Sequence, residues 1–242
     1  MQEWFDGVKS QFILNFINDN RWKFLLSGLG VTLRITFFAL CIGIVIGVVV
    51  SIVRSSHDKM GHTIRNRWAL LVLKFFNAIC KVYLTVIRGT PVVVQLMIFY
   101  FVILVNIKNG LIIGITAFGI NTGSYIAEIF RSGIMSVDNG QFEAGRSLGF
   151  NYIQTMWYII IPQGFKNILP TLANEFIILL KETAVVGYVA VQDLTKAGHI
   201  IGGRTFSWIM PLLAVALIYL ILVMFFTWLV GRLERRLRRN ER

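Results

Sequence analysis

Residues 208–231 contain no Asp, Glu, Lys or Arg, and residues 110–127 are equally free of charge. An α-helix rises about 1.5 Å per residue, so about 20 residues cross a membrane hydrocarbon core of roughly 30 Å. Both stretches are about this long. A buried helix of a soluble protein of this size would rarely extend so far without a charge on its outer face. The chain is therefore predicted to be an all-α integral membrane protein.

The apolar residues divide the chain into a membrane domain and two flanking segments. Residues 1–27 are mixed, and Trp4 and Trp22 favour an interfacial, extracytoplasmic segment. Residues 28–231 form the predicted transmembrane domain, and residues 232–242 form a basic tail. The predicted spans are residues 28–53, 92–105, 111–134, 168–191 and 208–231.

Residues 68–88 allow two interpretations. Lys74, Lys81 and Arg88 recur every seven residues and share one helical face, while the other faces are apolar. An amphipathic helix lying in the membrane interface fits this pattern. The wet end of a long tilted helix fits it as well, in which case the span predicted at 92–105 begins earlier.

The basic residues predict the orientation. The formal net charge is +12 at pH 7. With five spans, sixteen Lys and Arg residues lie on one side and six on the other. The richer side is predicted to be cytoplasmic, which places the N-terminus outside and the C-terminus inside. A sixth span at 68–88 would reduce this asymmetry, which argues against one. The positive-inside rule explains the charge better than nucleic-acid binding does.

The polar stretch 135–166 contains a spaced motif. Glu-Ala-Gly at 143–145 is followed after three residues by a Gly, and after nine more by Ile-Ile-Ile-Pro. This pattern resembles the coupling loop of permease subunits of binding-protein-dependent ABC importers, which reads Glu-Ala-Ala, three residues, Gly, nine residues, Ile-x-Leu-Pro. The matching residues are Glu143, Ala144, Gly149, Ile159 and Pro162, whereas Gly145 replaces the second Ala and Ile161 replaces Leu.

The residue types suit a short helix that leaves the membrane at 140–162 and presses into a groove on a separate ATPase. Small residues at 144 and 145 allow close approach, and Glu143 can cap backbone N–H groups or meet basic groups of the partner. Gly149 permits a sharp turn because glycine tolerates positive φ. Pro162 is expected to set the return towards the membrane. A generic amphipathic loop between spans is the alternative.

Further stretches resemble permeases for polar amino acids. They are Arg88-Gly89-Thr90-Pro91 with Gln95, residues 124–134, and residues 180–183. The resemblance implies a type I importer permease fold of about five transmembrane helices in the cell membrane. It also implies a dimer of permease subunits, two copies of an ABC ATPase and an extracytoplasmic amino-acid-binding protein. The chain contains no phosphate-binding loop, so it is predicted to be a non-catalytic subunit whose energy comes from the ATPase.

Polar residues within the predicted spans are candidates for function, because charges at mid-span usually face a partner or a wet cavity. Glu128 and Arg131 are three residues apart and can form a structural ion pair or a gate. Glu182 and Thr183 are predicted to border the translocation path, with Lys181 and Gln95 as further candidates. Alternatively, Lys181 and Glu182 hold subunits or helices together. An acidic lining would suit a cationic substrate such as arginine, lysine or histidine.

Two other classes of protein compete with the importer permease. An ATPase-independent secondary transporter or channel often has repeated halves, and no internal repeat is evident here. A membrane-embedded enzyme would need a convergent catalytic set. His57, His62 and His199 are scattered, and no Cys or His spacing predicts a metal site or another cofactor.

Overall fold

A computed structural model describes residues 1–60 and 66–239 of the chain. This part of the chain is helical and contains no β-strand. Its α-helices are α1 (Gln2–Phe12), α2 (Trp22–Met60), α3 (Arg67–Gly89), α4 (Val92–Ile98), α5 (Gly110–Met135), α6 (Asn139–Ser147), α7 (Tyr152–Thr155), α8 (Ile161–Glu182), α9 (Leu194–Thr205) and α10 (Ile209–Arg239). Residues 61–65, which include His62, and the last three residues of the predicted tail lie outside the described residues.

Several of these helices continue into π- or 3₁₀-helical turns. The π-helical segments are Ile13–Ile17, Phe99–Ile103 and Met156–Ile160, and the 3₁₀ segments are Asn18–Asn20 and Thr183–Val189. Ala190 and Phe206 adopt left-handed φ values of 59° and 53°. Each therefore ends a helical segment with a sharp change of direction.

Four described helices are long and apolar enough to cross a membrane, judged by length and composition: Trp22–Asp58, Arg67–Gly89, Gly110–Met135 and Ile209–Leu237. Three of them contain predicted spans, and α2 extends beyond the predicted 28–53 at both ends. The helix Arg67–Gly89 differs from the expectation, because charge counting argued against a span there.

The remaining predicted spans also look different in the structure. Residues 92–103 form a shorter apolar helix that follows α3 after Thr90 and Pro91. Helix α8 covers part of the predicted span 168–191 but is not among the four apolar helices. It carries Asn174, Glu175, Lys181 and Glu182 near its C-terminal end, and these polar residues lower its mean hydropathy.

Two compact units make up the chain. The first comprises Met1–Ala39, Val93–Phe118 and Ile177–Trp228. Its apolar core joins the end of the N-terminal segment, the start of α2, α9 and α10, through Phe16, Leu25, Leu194, Ala197, Ile201 and Val215. Asn15, which is fully buried, receives a hydrogen bond from the Thr205 hydroxyl at 2.8 Å. The predicted interfacial segment is thus anchored to the turn after α9.

The second unit comprises Leu40–Val92, Gly119–Phe176 and Leu229–Arg242. Here α2, α3 and α5 pack around Val50, Cys80 and Ala127. Gly43 and Gly47 face α5, and a Cβ at Gly47 would lie 2.5 Å from Cγ2 of Ile126. These two glycines, four residues apart, allow α2 and α5 to approach each other closely.

Candidate functional site

The segment that carries the spaced motif begins with a capped helix. The Asp138 carboxylate accepts a hydrogen bond from the Gly140 N–H at 2.6 Å and so caps the start of α6. Glu143 and Ala144 lie on this helix and are exposed. Glu143 does not cap a backbone N–H within the described chain, which leaves its carboxylate directed at solvent or at a partner.

Gly145 is buried, unlike its neighbours on α6. A Cβ at this position would lie 2.7 Å from Cγ2 of Thr155 and 3.0 Å from Cδ1 of Ile159. These distances are shorter than normal van der Waals contact. Gly145, which replaces the second Ala of the family pattern, therefore allows the α6 backbone to approach the following helix closely.

The turn after α6 depends on Gly149. Its φ is +85°, as predicted from glycine's tolerance of positive φ. The Gly149 N–H donates to the Arg146 carbonyl at 3.0 Å, and the Phe150 N–H donates to the Gly145 carbonyl at 3.1 Å. The last carbonyls of α6 are thus satisfied as the chain reverses.

The returning helix starts with a capping box. The Asn151 side chain accepts from the Gln154 N–H, and the Gln154 side chain accepts from the Asn151 N–H, both at 2.9 Å. The Phe142 and Tyr152 rings pack edge to face with centroids 5.6 Å apart. Burial raises the pKa of the Tyr152 hydroxyl. These contacts fix α6 and α7 to each other as one unit.

Pro162 was expected to set the return towards the membrane, but the structure places it inside a helical run from Tyr152 to Glu182. Proline lacks a backbone N–H. Directly before it, Met156–Ile160 widens into a π-helical turn, and the Ile161 N–H bonds to the Met156 carbonyl five residues earlier. The run therefore accommodates Pro162 by local widening and not by a turn.

The surface of this segment is partly apolar. Leu148 and Ile153 are each 74% exposed, and Arg146 and Ser147 are exposed beside them. Leu148, which follows α6, and Ile153 on α7 thus expose apolar side chains near the charged Arg146.

An ion-pair cluster surrounds Glu128. Arg131 Nη2 lies 2.7 Å from Glu128 Oε1, which confirms the predicted i,i+3 pair. Arg88 Nη1 lies 3.8 Å from Glu128 Oε2, and Arg131 Nη1 lies 4.0 Å from Asp58 Oδ2. The Arg88 guanidinium also lies over the Tyr125 ring, 5.5 Å from its centroid. Sequence spacing predicted only the local pair, because the other partners are distant along the chain.

Residues 88–91 connect the end of α3 to the start of α4. Gly89 is the last residue of α3, and Thr90 is extended with φ −123° and ψ 147°. That conformation is the one favoured before proline. The Thr90 hydroxyl donates to the Val86 carbonyl at 2.8 Å and Pro91 precedes α4.

The candidate translocation-path residues have different environments. Gln95 is buried on α4, and Thr183 is fully buried with its hydroxyl donating to the Leu180 carbonyl at 2.9 Å. Glu182 is half-buried and Lys181 is exposed. A cavity of about 370 Å³ lies in the first unit. Residues that follow Thr183 in the sequence line it, among them Ala184, Tyr188, Lys196 and His199.

Sequence reasoning missed a buried polar group at the start of α9. The Asp193 carboxylate caps this helix by accepting from the Thr195 and Lys196 N–H groups at 3.1 and 2.9 Å. The Thr32 hydroxyl accepts from the Leu194 N–H at 3.2 Å. Burial raises the pKa of Asp193, and its backbone hydrogen bonds act in the opposite direction. The Asp-Leu-Thr-Lys sequence has the form of an N-cap and could have indicated it.

Within the described ranges, no group of three or more His, Cys, Asp or Glu side chains is placed to hold a metal ion. The arrangement at 138–162 offers exposed side chains on a fixed helical element, which suits binding of another protein.

Comparison with known proteins identifies the family. A family model described as the inner membrane component of binding-protein-dependent transport systems matches residues 68–239. The chain belongs to this family. The arginine transport system permease protein ArtQ of Bacillus subtilis is 34% identical over 221 residues, which cover 90% of this chain and 94% of that protein. The glutamine transport system permease protein GlnP of Escherichia coli is 35% identical, with 88% and 93% covered.

Solved structures agree with this assignment. A crystal structure of an amino acid ABC transporter with histidines contains a chain that is 37% identical. The superposition has a TM-score of 0.80 and covers 91% of this permease and 98% of that chain. An inward-facing MetNI methionine ABC transporter shares the fold at 20% identity and a TM-score of 0.73. The predicted all-α, type I importer permease fold is confirmed.

Proposed function

We propose that this permease forms the translocation path of an ATP-driven amino-acid importer and couples to a separate ATPase through residues 143–162. One observation carries the coupling role. Helix α6 exposes Glu143 and Ala144, and Leu148 directly after it is exposed as well. The Asp138 cap, the Gly149 turn and packing against Thr155 hold this helix in place. A rigid exposed element can transmit the movement of a bound partner, which a flexible loop would absorb.

The partners follow from the family and are part of the proposal. They are two copies of an ABC ATPase, a second permease subunit that is identical or related, and an extracytoplasmic binding protein. Membership of a binding-protein-dependent family supports the external partner. The proposed orientation places the N-terminus outside and segment 138–162 in the cytoplasm, where the ATPase would be. Family membership argues against an ATPase-independent transporter or channel.

The proposed substrate is a polar amino acid, and a cationic one is favoured by acidic side chains near the path. Relatives named for arginine and for glutamine support the polar class. Glu182 is half-buried next to the fully buried Thr183. Its carboxylate could face a positively charged substrate across a wet path.

Substrate-stimulated ATP hydrolysis tests the coupling role. The permease is reconstituted in lipid with its ATPase and its binding protein, and wild type is compared with Glu143→Lys and Gly149→Asp. We expect both changes to abolish stimulation by amino-acid-loaded binding protein. Glu3→Lys and Gly7→Asp are matched controls, because both positions are exposed on α1 outside the segment. Full stimulation in folded Glu143→Lys protein would contradict the proposal.

A second experiment separates the two roles of Glu182. Uptake of radiolabelled arginine and glutamine is measured for Glu182→Gln, together with the size of the purified transporter. A path role predicts altered uptake, greatest for arginine, with assembly intact. If Lys181 and Glu182 instead hold subunits together, the complex dissociates. Uptake of normal affinity and rate would exclude the path role.

The cluster of Arg88, Glu128 and Arg131 is proposed to be structural, since its ion pairs join three helices of one unit. A gate would require these pairs to break during transport. The variant Glu128→Asp keeps the charge and distinguishes the two roles. If the cluster is structural, the variant protein should lose thermal stability. If the cluster is a gate, the transport rate should change while the stability stays constant.

A further inference from the structure

A basic cavity lies in the second unit, and its lining residues include none of the coupling segment and none of the candidate path residues. It has a volume of about 490 Å³ and is bordered by α2, α3 and α5. Its charged lining consists of Arg54, Lys81 and Arg88 against a single carboxylate, Glu128. Three cations therefore face one anion in a segment of the protein that borders the membrane.

The one carboxylate is already engaged. Glu128 binds Arg131 at 2.7 Å and lies 3.8 Å from Arg88. Neither Arg54 nor Lys81 has a carboxylate within salt-bridge distance in the part of the chain that the structure describes. Positive charge thus exceeds negative charge among the residues that line this cavity.

Arg54 supplies an independent indication of a missing acceptor. Its Nε atom is buried and has no hydrogen-bond partner among the described residues. A buried donor without an acceptor destabilises the folded state, and it does so more strongly when the group is charged. An anion with several acceptor oxygens would satisfy this N–H and the neighbouring Lys81 ammonium together.

The surroundings of the cavity indicate where such an anion comes from. Val82 and Val86, which flank the cationic residues on α3, are 63% and 53% exposed. Only 11% of the most apolar stretch of α3 is buried by the rest of the described chain. An apolar, exposed face beside a basic cavity suits a molecule that has both acyl chains and an anionic head. Basic pockets between transmembrane helices bind phosphate-bearing headgroups in this way.

We propose that the cavity bounded by Arg54, Lys81 and Arg88 binds the phosphate headgroup of an anionic membrane phospholipid. The phosphate oxygens accept from the Arg54 guanidinium and the Lys81 ammonium, while the acyl chains lie along the valines of α3. Thr85, which also lines the cavity, offers a hydroxyl to the same headgroup. This inference requires only that the chain lies in a membrane, and it does not depend on which amino acid is transported.

Retention of phosphatidylglycerol tests the proposal. The assembled transporter is reconstituted in mixed phosphatidylcholine and phosphatidylglycerol, extracted, and examined by native mass spectrometry for bound phosphatidylglycerol. Each cationic contact is expected to raise the affinity for this lipid roughly fivefold. The double variant Arg54→Gln/Lys81→Gln should therefore bind it about 25-fold more weakly. Arg67→Gln/Lys74→Gln is the matched control, since it removes the same charge from α3 outside the cavity, and its retention should match wild type.

The remaining outcomes each decide the matter. Charge-retaining exchange, Arg54→Lys/Lys81→Arg, should restore most retention, which separates loss of binding from loss of folding. Equal retention in wild type and in the glutamine variant would overturn the proposal, as would equal losses in the matched control. Displacement of the lipid by excess inorganic phosphate would assign the site to a soluble anion. If the glutamine variant keeps its lipid but loses the ATPase, the cluster is a protein contact instead.

Discussion

The backbone of Gly145 packs directly against the side chain of Thr155, so that a Cβ at position 145 would lie 2.7 Å from the Thr155 Cγ2 atom. Thr155 itself is fixed, because its hydroxyl donates to the Asn151 carbonyl at 3.0 Å. The family pattern has alanine at position 145, and in this chain the threonine occupies the space that its methyl group would need. The two positions are thus expected to vary together.

Gly145→Ala is therefore expected to destabilise segment 138–162 even though it restores the family residue. Overpacking typically costs about 1–3 kcal/mol, partly offset by the better helix propensity of alanine. Thr155→Ser removes Cγ2 and keeps the hydroxyl, so the double variant should recover most of the loss. Free energies of unfolding of wild type, the two single variants and the double variant give the interaction energy between the two positions. Additive effects would show that the two side chains do not meet.

Gly149 gives a second prediction, on backbone conformation alone. Its φ of +85° lies in the left-handed region, and a Cβ there would meet no atom within 4 Å. Asparagine tolerates this region and, unlike the aspartate of Gly149→Asp, adds no charge to the proposed partner surface. A β-branched residue does not tolerate the region. We expect Gly149→Val to lose about 1–2 kcal/mol of stability and most coupling of ATP hydrolysis, and Gly149→Asn to keep both. Equal behaviour of the two variants would show that side-chain bulk at a partner surface matters more than φ.

Local spacing predicted those parts of the structure that depend on neighbours along the chain. The positive φ at Gly149 and the pairing of Glu128 with Arg131 both follow from short motifs. The contact between Arg88 and Glu128 joins residues 40 positions apart, so no local pattern could indicate it.

Two features of the structure go beyond what residue preferences predicted. Charge counting argued against a span at 68–88, whereas helix Arg67–Gly89 is long and apolar enough to cross a membrane by length and composition, and its Lys81 and Arg88 line a basic cavity. Pro162 was expected to set the return towards the membrane, and it follows a π-helical turn at Met156–Ile160 within a continuous helical run. Average residue preferences cannot show such features, because they depend on atoms contributed by other positions.

The glycines of α2 provide a third prediction with an internal control. A Cβ at Gly47 would lie 2.5 Å from Ile126 Cγ2 and 2.9 Å from the Ala127 nitrogen, whereas one at Gly30 would meet nothing within 4 Å. Gly47→Ala should therefore separate α2 from α5 and lower the free energy of unfolding by about 1–3 kcal/mol. Gly30→Ala, the same change in the same helix, should be neutral or stabilising by up to about 1 kcal/mol. Thermal unfolding in detergent measures both.

The buried carboxyl of Asp193 predicts a dependence of stability on pH. Burial is the largest influence on this group and raises its pKa above the ordinary value of 3.8, against the opposing hydrogen bonds from Lys196 and Thr195. The folded chain therefore holds a proton at pH values where the unfolded chain has released it. The resulting stabilisation is complete below pH 3.8 and is lost as the pH rises through the folded-state pKa.

Asp193→Asn should remove this dependence while keeping the helix cap, because asparagine is also a good N-cap residue. We expect the unfolding midpoint of wild type, relative to that of the variant, to increase as the pH is lowered from neutral towards the ordinary pKa of aspartate. Thermal unfolding of both proteins across this range measures the difference directly. A difference that stays constant with pH would mean that the Asp193 carboxyl titrates alike in the folded and unfolded chains, and that its hydrogen bonds to α9 fully compensate for burial.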